Sequence, residues 1–194
     1  MEKNKHLRLR QLYYEYKREF AGEEIVFGDG NIDSGIVMIG EAPGKDEVRL
    51  GKPFVGIAGG NLGKFMDYIE LTREDLYVTN AIKYRLFKVN PNTGKKSNRP
   101  ARASEIEGSL PCLSAELDIL DPELVVTLGN VPLRAVTGRR DITIGEVHGR
   151  VISLDGMRVF PMYHPASLIY NRSLEETYYK DLDKLKNIIK EVSK

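Results

Sequence analysis

Short apolar runs alternate with segments of helical periodicity along this chain, and that alternation constrains its fold most. Ile36–Ile39, Leu76–Asn80 and Leu124–Leu128 are each too short for a helix and rich in apolar residues, as strands buried on both faces are. Between and around them lie amphipathic stretches. Residues 3–19 place Leu7, Leu9, Leu12, Tyr13 and Tyr16 among many charges, and a helix is predicted there, as over Asn61–Ile69 and Asn130–Thr137. A longer helix is predicted from about Ala101 to Leu120, where Ile106, Leu110, Leu113, Leu117 and Leu120 share one face, with Pro111 expected to kink or split it. Val151–Leu154 and Met157–Met162 flank Asp155-Gly156, a pair that favours a tight hairpin. The last helix is expected to open with Ser173 and Glu176 as a capping box, and Leu86–Arg99 reads as loop. Strands alternating with helices argue for an α/β fold with a parallel sheet covered on both faces. No repeat or linker divides residues 1–194, so one domain is expected.

The first strand runs into Gly40-Glu41-Ala42-Pro43-Gly44, followed by Glu47 and by Gly51-Lys-Pro-Phe54-Val-Gly56. In an open α/β sheet the crevice beyond the carboxyl ends of the strands is where ligands bind. Glycines let backbone approach a ligand closely, and Pro43 and Pro53 stiffen the turns. A carboxylate and a flat ring on such loops suit a planar, polar ligand that undergoes chemistry. The block lacks the Gly-Lys-Ser/Thr ending of a phosphate-binding loop.

Charge says little in sum, because 29 basic and 28 acidic residues nearly cancel, but more in its distribution. Lys83, Arg85, Lys88, Lys95, Lys96, Arg99 and Arg102 fall in a stretch with no acid, a cluster suited to phosphates. No apolar run is long enough to cross a bilayer, and the charged N-terminus lacks a signal peptide's apolar core, so a cytoplasmic protein is expected. Cys112 is the only cysteine, which excludes an intrachain disulfide and a thiolate-held cluster.

The Gly-Glu-Ala-Pro-Gly block resembles that of family 4 of the uracil-DNA glycosylases. Asn80 in Tyr77-Val-Thr-Asn80, Asn98-Arg99-Pro100, Leu128-Gly129 and His164-Pro165-Ala166-Ser167-Leu168 follow in the family's order, from about Val26 to Tyr170. The resemblance implies a three-layer α-β-α sandwich around a four-stranded parallel sheet. It implies excision of uracil from DNA, with uracil-containing DNA as partner and a monomeric enzyme. Family 4 ordinarily carries four cysteines around a [4Fe–4S] cluster. Here Tyr84 and Ser109 stand at two of those positions, and the upstream pair falls near Tyr13 and Tyr16. A cluster-free relative, using no metal and no redox cofactor, is therefore expected, with Cys112 as a small buried hydrophobe. The Arg85–Asn98 loop is also longer than the family's short turn.

Roles follow from that resemblance and from side-chain chemistry. Phe54 would stack on a flipped uracil, with Gly40 and Ala42 beside it. The Asn80 carboxamide offers both donor and acceptor to the O4 and N3–H edge. His164 would donate to O2, where charge builds as the glycosidic bond breaks. Glu41 would act as general base or as electrostatic partner of the sugar, and Glu47 would line the pocket near C5 or cap the next turn. Leu168, with Ile169 as rival, would wedge into the gap in the stack. Lys83, Arg85, Arg99, Arg172 and Ser167 would hold the DNA backbone. Two other readings stay open: a glycosylase-fold protein that binds DNA without cutting it, and a glycosylase for another deaminated base such as hypoxanthine.

Overall fold

The computed structural model describes residues 2–192, and the side chains of all of these except residues 2, 3, 57 and 58. Helix α1 spans Glu2–Glu19, then β1 Asp29–Gly30, β2 Ile36–Gly40, α2 Lys45–Leu50, α3 Ile57–Tyr68 and β3 Tyr77–Asn80. A small hairpin of β4 (Phe87–Val89) and β5 (Lys96–Asn98) precedes α4 (Ala103–Leu120), β6 (Leu124–Leu128), α5 (Asn130–Thr137) and α6 (Ile144–Val147). The chain ends with β7 Ile152–Leu154, β8 Met157–Met162, α7 Ser167–Tyr170, a 3-10 turn Arg172–Leu174, and α8 Glu175–Val192.

Six strands form one sheet in the order β1-β3-β2-β6-β8-β7. The central four, β3-β2-β6-β8, pair in parallel, and β1 and β7 add antiparallel edges. The expected parallel core is therefore present within a wider, mixed sheet. Alternate residues feed two cores. Met38, Val78, Val126 and Phe160 pack on Leu62 and Phe65 of α3 and on Leu182 and Leu185 of α8. Val37, Ile39, Val125 and Val159 pack on Leu9 of α1 and on Leu113 and Leu117 of α4. These strands are buried on both faces, which is why they read as continuous apolar runs. Among the described residues, no helix is long and apolar enough to cross a membrane.

Four local expectations need correction. Pro111 neither splits α4 nor ends it, because its ring sits on the exposed face while Ser109, Cys112, Leu113 and Glu116 anchor the buried face on both sides. The stretch read as loop closes into the β4–β5 hairpin. Asn90 Oδ1 accepts from the backbone N–H groups of Asn92 and Thr93, and Asn90 N–H bonds to Lys95 O. Helix α3 starts earlier than Asn61, directly after Gly56. Before the last helix, Ser173 lies in a 3-10 turn that Asn171 caps by accepting from Ser173 N–H at 3.1 Å, and α8 begins only at Glu175, with Glu176 paired to Lys180 instead of closing a capping box.

The Asp155-Gly156 hairpin forms as expected, with φ of 46° and 88° at its two central residues, a left-handed pair that matches the twist of β7 and β8. A side chain at Gly156 would meet open space. Gly156→Ala should therefore cost only backbone strain, about 1 kcal/mol, read as a lower urea midpoint at unchanged slope.

Candidate active site

Parallel pairing sets the strands' carboxyl ends along one edge. Gly40 lies in register with Asn80, and Leu128 with Met162, so β2, β3, β6 and β8 deliver their following loops together. A cavity of about 450 Å³ opens there, lined by Ala42, Glu47, Phe54, Asn80, Asn98 and His164 and rimmed by Lys45, Ile169 and Tyr170. A neighbouring hollow of about 240 Å³ shares Ala42, Asn98 and His164 and adds Glu41. The structure thus brings Glu41, Ala42, Glu47, Phe54, Asn80 and His164 to one place. A larger hollow at the other end of β6 is lined by Asp118, Asp121, Glu123 and Asp155, an acidic wall that repels a polyanion.

The loop bearing Phe54 is organised by Glu47. That carboxylate is buried and accepts from the N–H groups of Gly44 (3.1 Å), Val55 (3.2 Å) and Gly56 (2.8 Å). Of the two roles expected for Glu47, capping is plainly occupied, and it also borders the cavity. Phe54 itself adopts a left-handed backbone, φ 53°, which costs a non-glycine residue roughly 1–3 kcal/mol and persists only where the surroundings enforce it. Glu47 on one side and Arg73, donating to Phe54 O, on the other enforce it here. The Phe54 ring joins the core with its body and faces His164 at 6.2 Å between centroids, inclined by 26°. Gly40 leaves room for it, since a Cβ there would lie 2.4 Å from Phe54 Cζ and 2.6 Å from Asn80 Oδ1.

His164 has a defined tautomer. Its Nδ1 accepts from Ala166 N–H at 3.1 Å, so the ring proton of the neutral imidazole sits on Nε2. Burial holds its pKa below the ordinary histidine value, favouring that neutral form. Glu41 Oε1 accepts from Ala101 N–H at 2.9 Å, which fixes the carboxylate against the start of the α4 segment.

The expected phosphate contacts fare differently. Lys83 is fully buried, its ammonium 2.5 Å from Glu116, and reaches no surface. Arg85 is also buried, bonded to Glu24 and Asn98. Arg99 forms a two-pronged pair with Glu105, whose carboxyl it pulls down to about 2. Lys83 and Arg85 are corrected: carboxylates distant in the chain already hold them inside. Arg99, although paired, stays partly exposed and borders the hollow that holds Glu41. Arg172 stays exposed, and Ser167 is half-buried beside the pocket loop. Leu168 packs against the core, whereas Ile169 is 52% and Tyr170 87% exposed. Asn98 was missed as a lining residue, although its place in Asn98-Arg99-Pro100 was a signal. Tyr170 and Lys45 carried no signal beyond proximity to a motif.

Thiolate ligation of an iron–sulfur cluster does not fit the residues present. Tyr16, Phe20 and Tyr84 pack ring on ring, Tyr16 to Phe20 at 4.4 Å and Phe20 to Tyr84 at 5.2 Å, and Tyr13 stacks on Phe27 at 4.1 Å. Tyr16 OH and Ser109 Oγ are 3.3 Å apart, so the positions aligned with ligands are filled by packed rings and a hydroxyl pair. Cys112 lies in the same cluster, and burial pushes its thiol up to about 12. A single buried, protonated thiol is not a cluster ligand set.

The family model described as the uracil DNA glycosylase superfamily matches residues 27–191. The chain belongs to the uracil-DNA glycosylase superfamily. It is 36% identical over 169 residues to the type-4 uracil-DNA glycosylase of Thermotoga maritima, covering 86% of this chain and 83% of that one. It is 36% identical to the type-4 enzyme of Archaeoglobus fulgidus, covering 81% and 78% respectively. A type-5 uracil-DNA glycosylase of Pyrobaculum aerophilum is 30% identical, covering 73% and 66%. Glu41, Phe54, Asn80 and His164, the residues read from the family motifs, thus meet on one edge of a sheet typical of the superfamily.

The crowding at Gly40 gives a direct test of that arrangement. Gly40→Ala should displace the Phe54 ring or the Asn80 amide and lower stability by about 1–3 kcal/mol, as overpacking a filled site does. Urea unfolding followed by circular dichroism reads it, and an unchanged midpoint would contradict the crowding.

Proposed function

We propose that this superfamily member is a monofunctional uracil-DNA glycosylase, which hydrolyses the N-glycosidic bond of deoxyuridine in DNA and leaves an abasic site. The observation that carries this reading is a single cavity holding a ring, a carboxamide and a neutral imidazole with its Nε2 proton free, bordered by Glu41. The similarity to type-4 enzymes supports it.

A flipped uracil enters the cavity and stacks on Phe54. The Asn80 carboxamide pairs with O4 and N3–H. Cytosine presents the opposite pattern and would leave buried groups unpaired, at about 1–3 kcal/mol each. As the bond from C1′ to N1 breaks, its electron pair moves onto the base, and Nε2–H of His164 donates to the charge growing on O2. Glu41 orients a water toward C1′ and takes its proton, so water adds to the sugar and uracil leaves as an anion that is protonated on release. Ile169, the more exposed of the two wedge candidates, fills the gap in the stack, with Tyr170 beside it. Lys45, Lys88, Lys95 and Arg172, all exposed, meet the phosphates.

Cleavage of a labelled oligonucleotide with one uracil, followed by alkali, tests the reading. Wild type should cut, and Glu41→Ala should be at least about a hundredfold slower. Wild-type protein that binds the oligonucleotide yet leaves it intact would replace this reading with the DNA-binding one, or with excision of another base.

The pH profile carries a second expectation. Neutral His164 is the working form, and burial lowers its pKa, so activity should persist through the usual histidine range and decline only below about pH 6.5. Single-turnover rates against pH measure this. A limb centred at or above that value that vanishes in His164→Asn would contradict it.

A further inference from the structure

Beneath the pocket lies a polar cluster that the reaction does not use. Lys83 and Glu116 are both completely buried. The Lys83 ammonium donates to Glu116 Oε2 (2.5 Å), Thr79 Oγ1 (2.8 Å) and the backbone carbonyl of Asn80 (2.6 Å), which uses all three of its protons. Glu116 also accepts from Thr79 Oγ1 at 3.1 Å and from Tyr13 OH, and Tyr13 OH lies 2.5 Å from Tyr77 OH. Such a pair is a poor source of stability, because removing two charges from water costs about as much as their attraction returns, and apolar residues often serve as well. Its contacts indicate what it does instead.

The carbonyl it holds belongs to Asn80. The N–H of the same peptide group, on Ala81, donates to Gly40 O at 2.8 Å, and the next one, on Ile82, donates to Glu41 O at 2.9 Å. The peptide after Asn80 is thus clamped at both ends, by a buried cation and by the loop that carries Glu41. Lys83 lies three residues after Asn80, so its side chain folds back over the turn it belongs to. A carboxamide that turns over, or whose backbone tilts, offers cytosine the pattern it should offer uracil. Base reading therefore depends on how tightly the Asn80 backbone is held.

We propose that Lys83, paired with Glu116, is a positioning residue that fixes Asn80 and thereby sets discrimination between uracil and cytosine. The proposal rests on Asn80 reading the base in the reaction described above. Removing one charge alone would strand the other in the interior, so the informative variant is Lys83→Met with Glu116→Gln, which removes both charges and leaves a side chain to accept from Tyr13 and Thr79. Thr79→Val is a milder second variant that deletes the shared hydroxyl.

Single-turnover excision is measured on oligonucleotides carrying uracil or cytosine, for these variants in wild-type and Asn80→Ala backgrounds, with thermal melts alongside. The double variant should fold, lose about tenfold in the uracil-to-cytosine ratio and show a fall in the rate of the chemical step rather than in binding. Thr79→Val should shift the ratio in the same direction by less. In the Asn80→Ala background neither change should move the ratio further, as expected of groups acting through one residue. An unchanged ratio in a folded double variant, or losses that are equal for both bases and persist without Asn80, would make the cluster merely structural and overturn the proposal. If the double variant does not fold, an unchanged ratio in Thr79→Val overturns it equally. Asn80→Ala with wild-type base preference would instead remove Asn80 from the pocket, overturning the reading of the site and this proposal together.

Discussion

Parallel pairing in register is the constraint on which this molecule rests. A parallel strand returns through a helix, so β2, β3, β6 and β8 all point the same way and end on one edge. Gly40 opposite Asn80 is a consequence of that register, and so is the approach of the loop after β8, which carries His164, to the loops after β2 and β3. A slip of one residue in β3 would turn the Asn80 side chain to the other face of the sheet. The chemistry therefore needs no dedicated scaffold beyond the cores on either side of the sheet. Those cores, built from alternate residues of the same strands, are what hold the register.

Around that frame, backbone amides do much of the ordering, and carboxylates collect them. Glu47 gathers three N–H groups and so shapes the loop that forces Phe54 into a strained conformation. Glu41 takes the N–H of Ala101, joining the β2 loop to the entry of α4. Ionised carboxylates are strong acceptors for such groups, and both ends of the first loop are fixed this way. The N-terminal segment is held differently. Stacked rings of Tyr13, Tyr16, Phe20, Phe27 and Tyr84 join α1 to the turn after β3 by area and geometry, without a metal's directed bonds.

Local patterns were legible in the sequence, and partners were not. The buried strands, α5 and the Asp155-Gly156 turn could be read because apolar runs, helical periods and turn chemistry depend on neighbours in the chain. Of the residues converging on the pocket, Glu41 and Asn80 stand at strand ends, whereas Phe54 and Glu47 were read through the resemblance to the family's motifs. Within the basic stretch, Lys83 and Arg85 were misread because counting charges along the chain says nothing of what faces them. Glu116 lies 33 residues from Lys83, and Glu24 lies 61 from Arg85. The hairpin at Asn90 was read as loop because its strands are three residues each and flank a turn-rich stretch, and β5, Lys96-Ser97-Asn98, carries no apolar residue to announce it. Pro111 misled for the opposite reason, since tertiary packing on both sides of it outweighed a local helix breaker.

The position of Lys83 also separates one buried cation from the exposed ones. Were Lys83 at the surface, it would add one more phosphate contact and weaken with salt like any other. Held inside with Glu116, it is one half of a paired charge whose other partners are the Thr79 hydroxyl and the Asn80 carbonyl. The free cations lie instead at the periphery, on the hairpin at Lys88 and Lys95, on α2 at Lys45, and at Arg172 beyond α7. That arrangement leaves the exposed positive charge on segments that flank the pocket loops. The cavity itself is lined by a ring, a carboxamide and an imidazole, those of Phe54, Asn80 and His164.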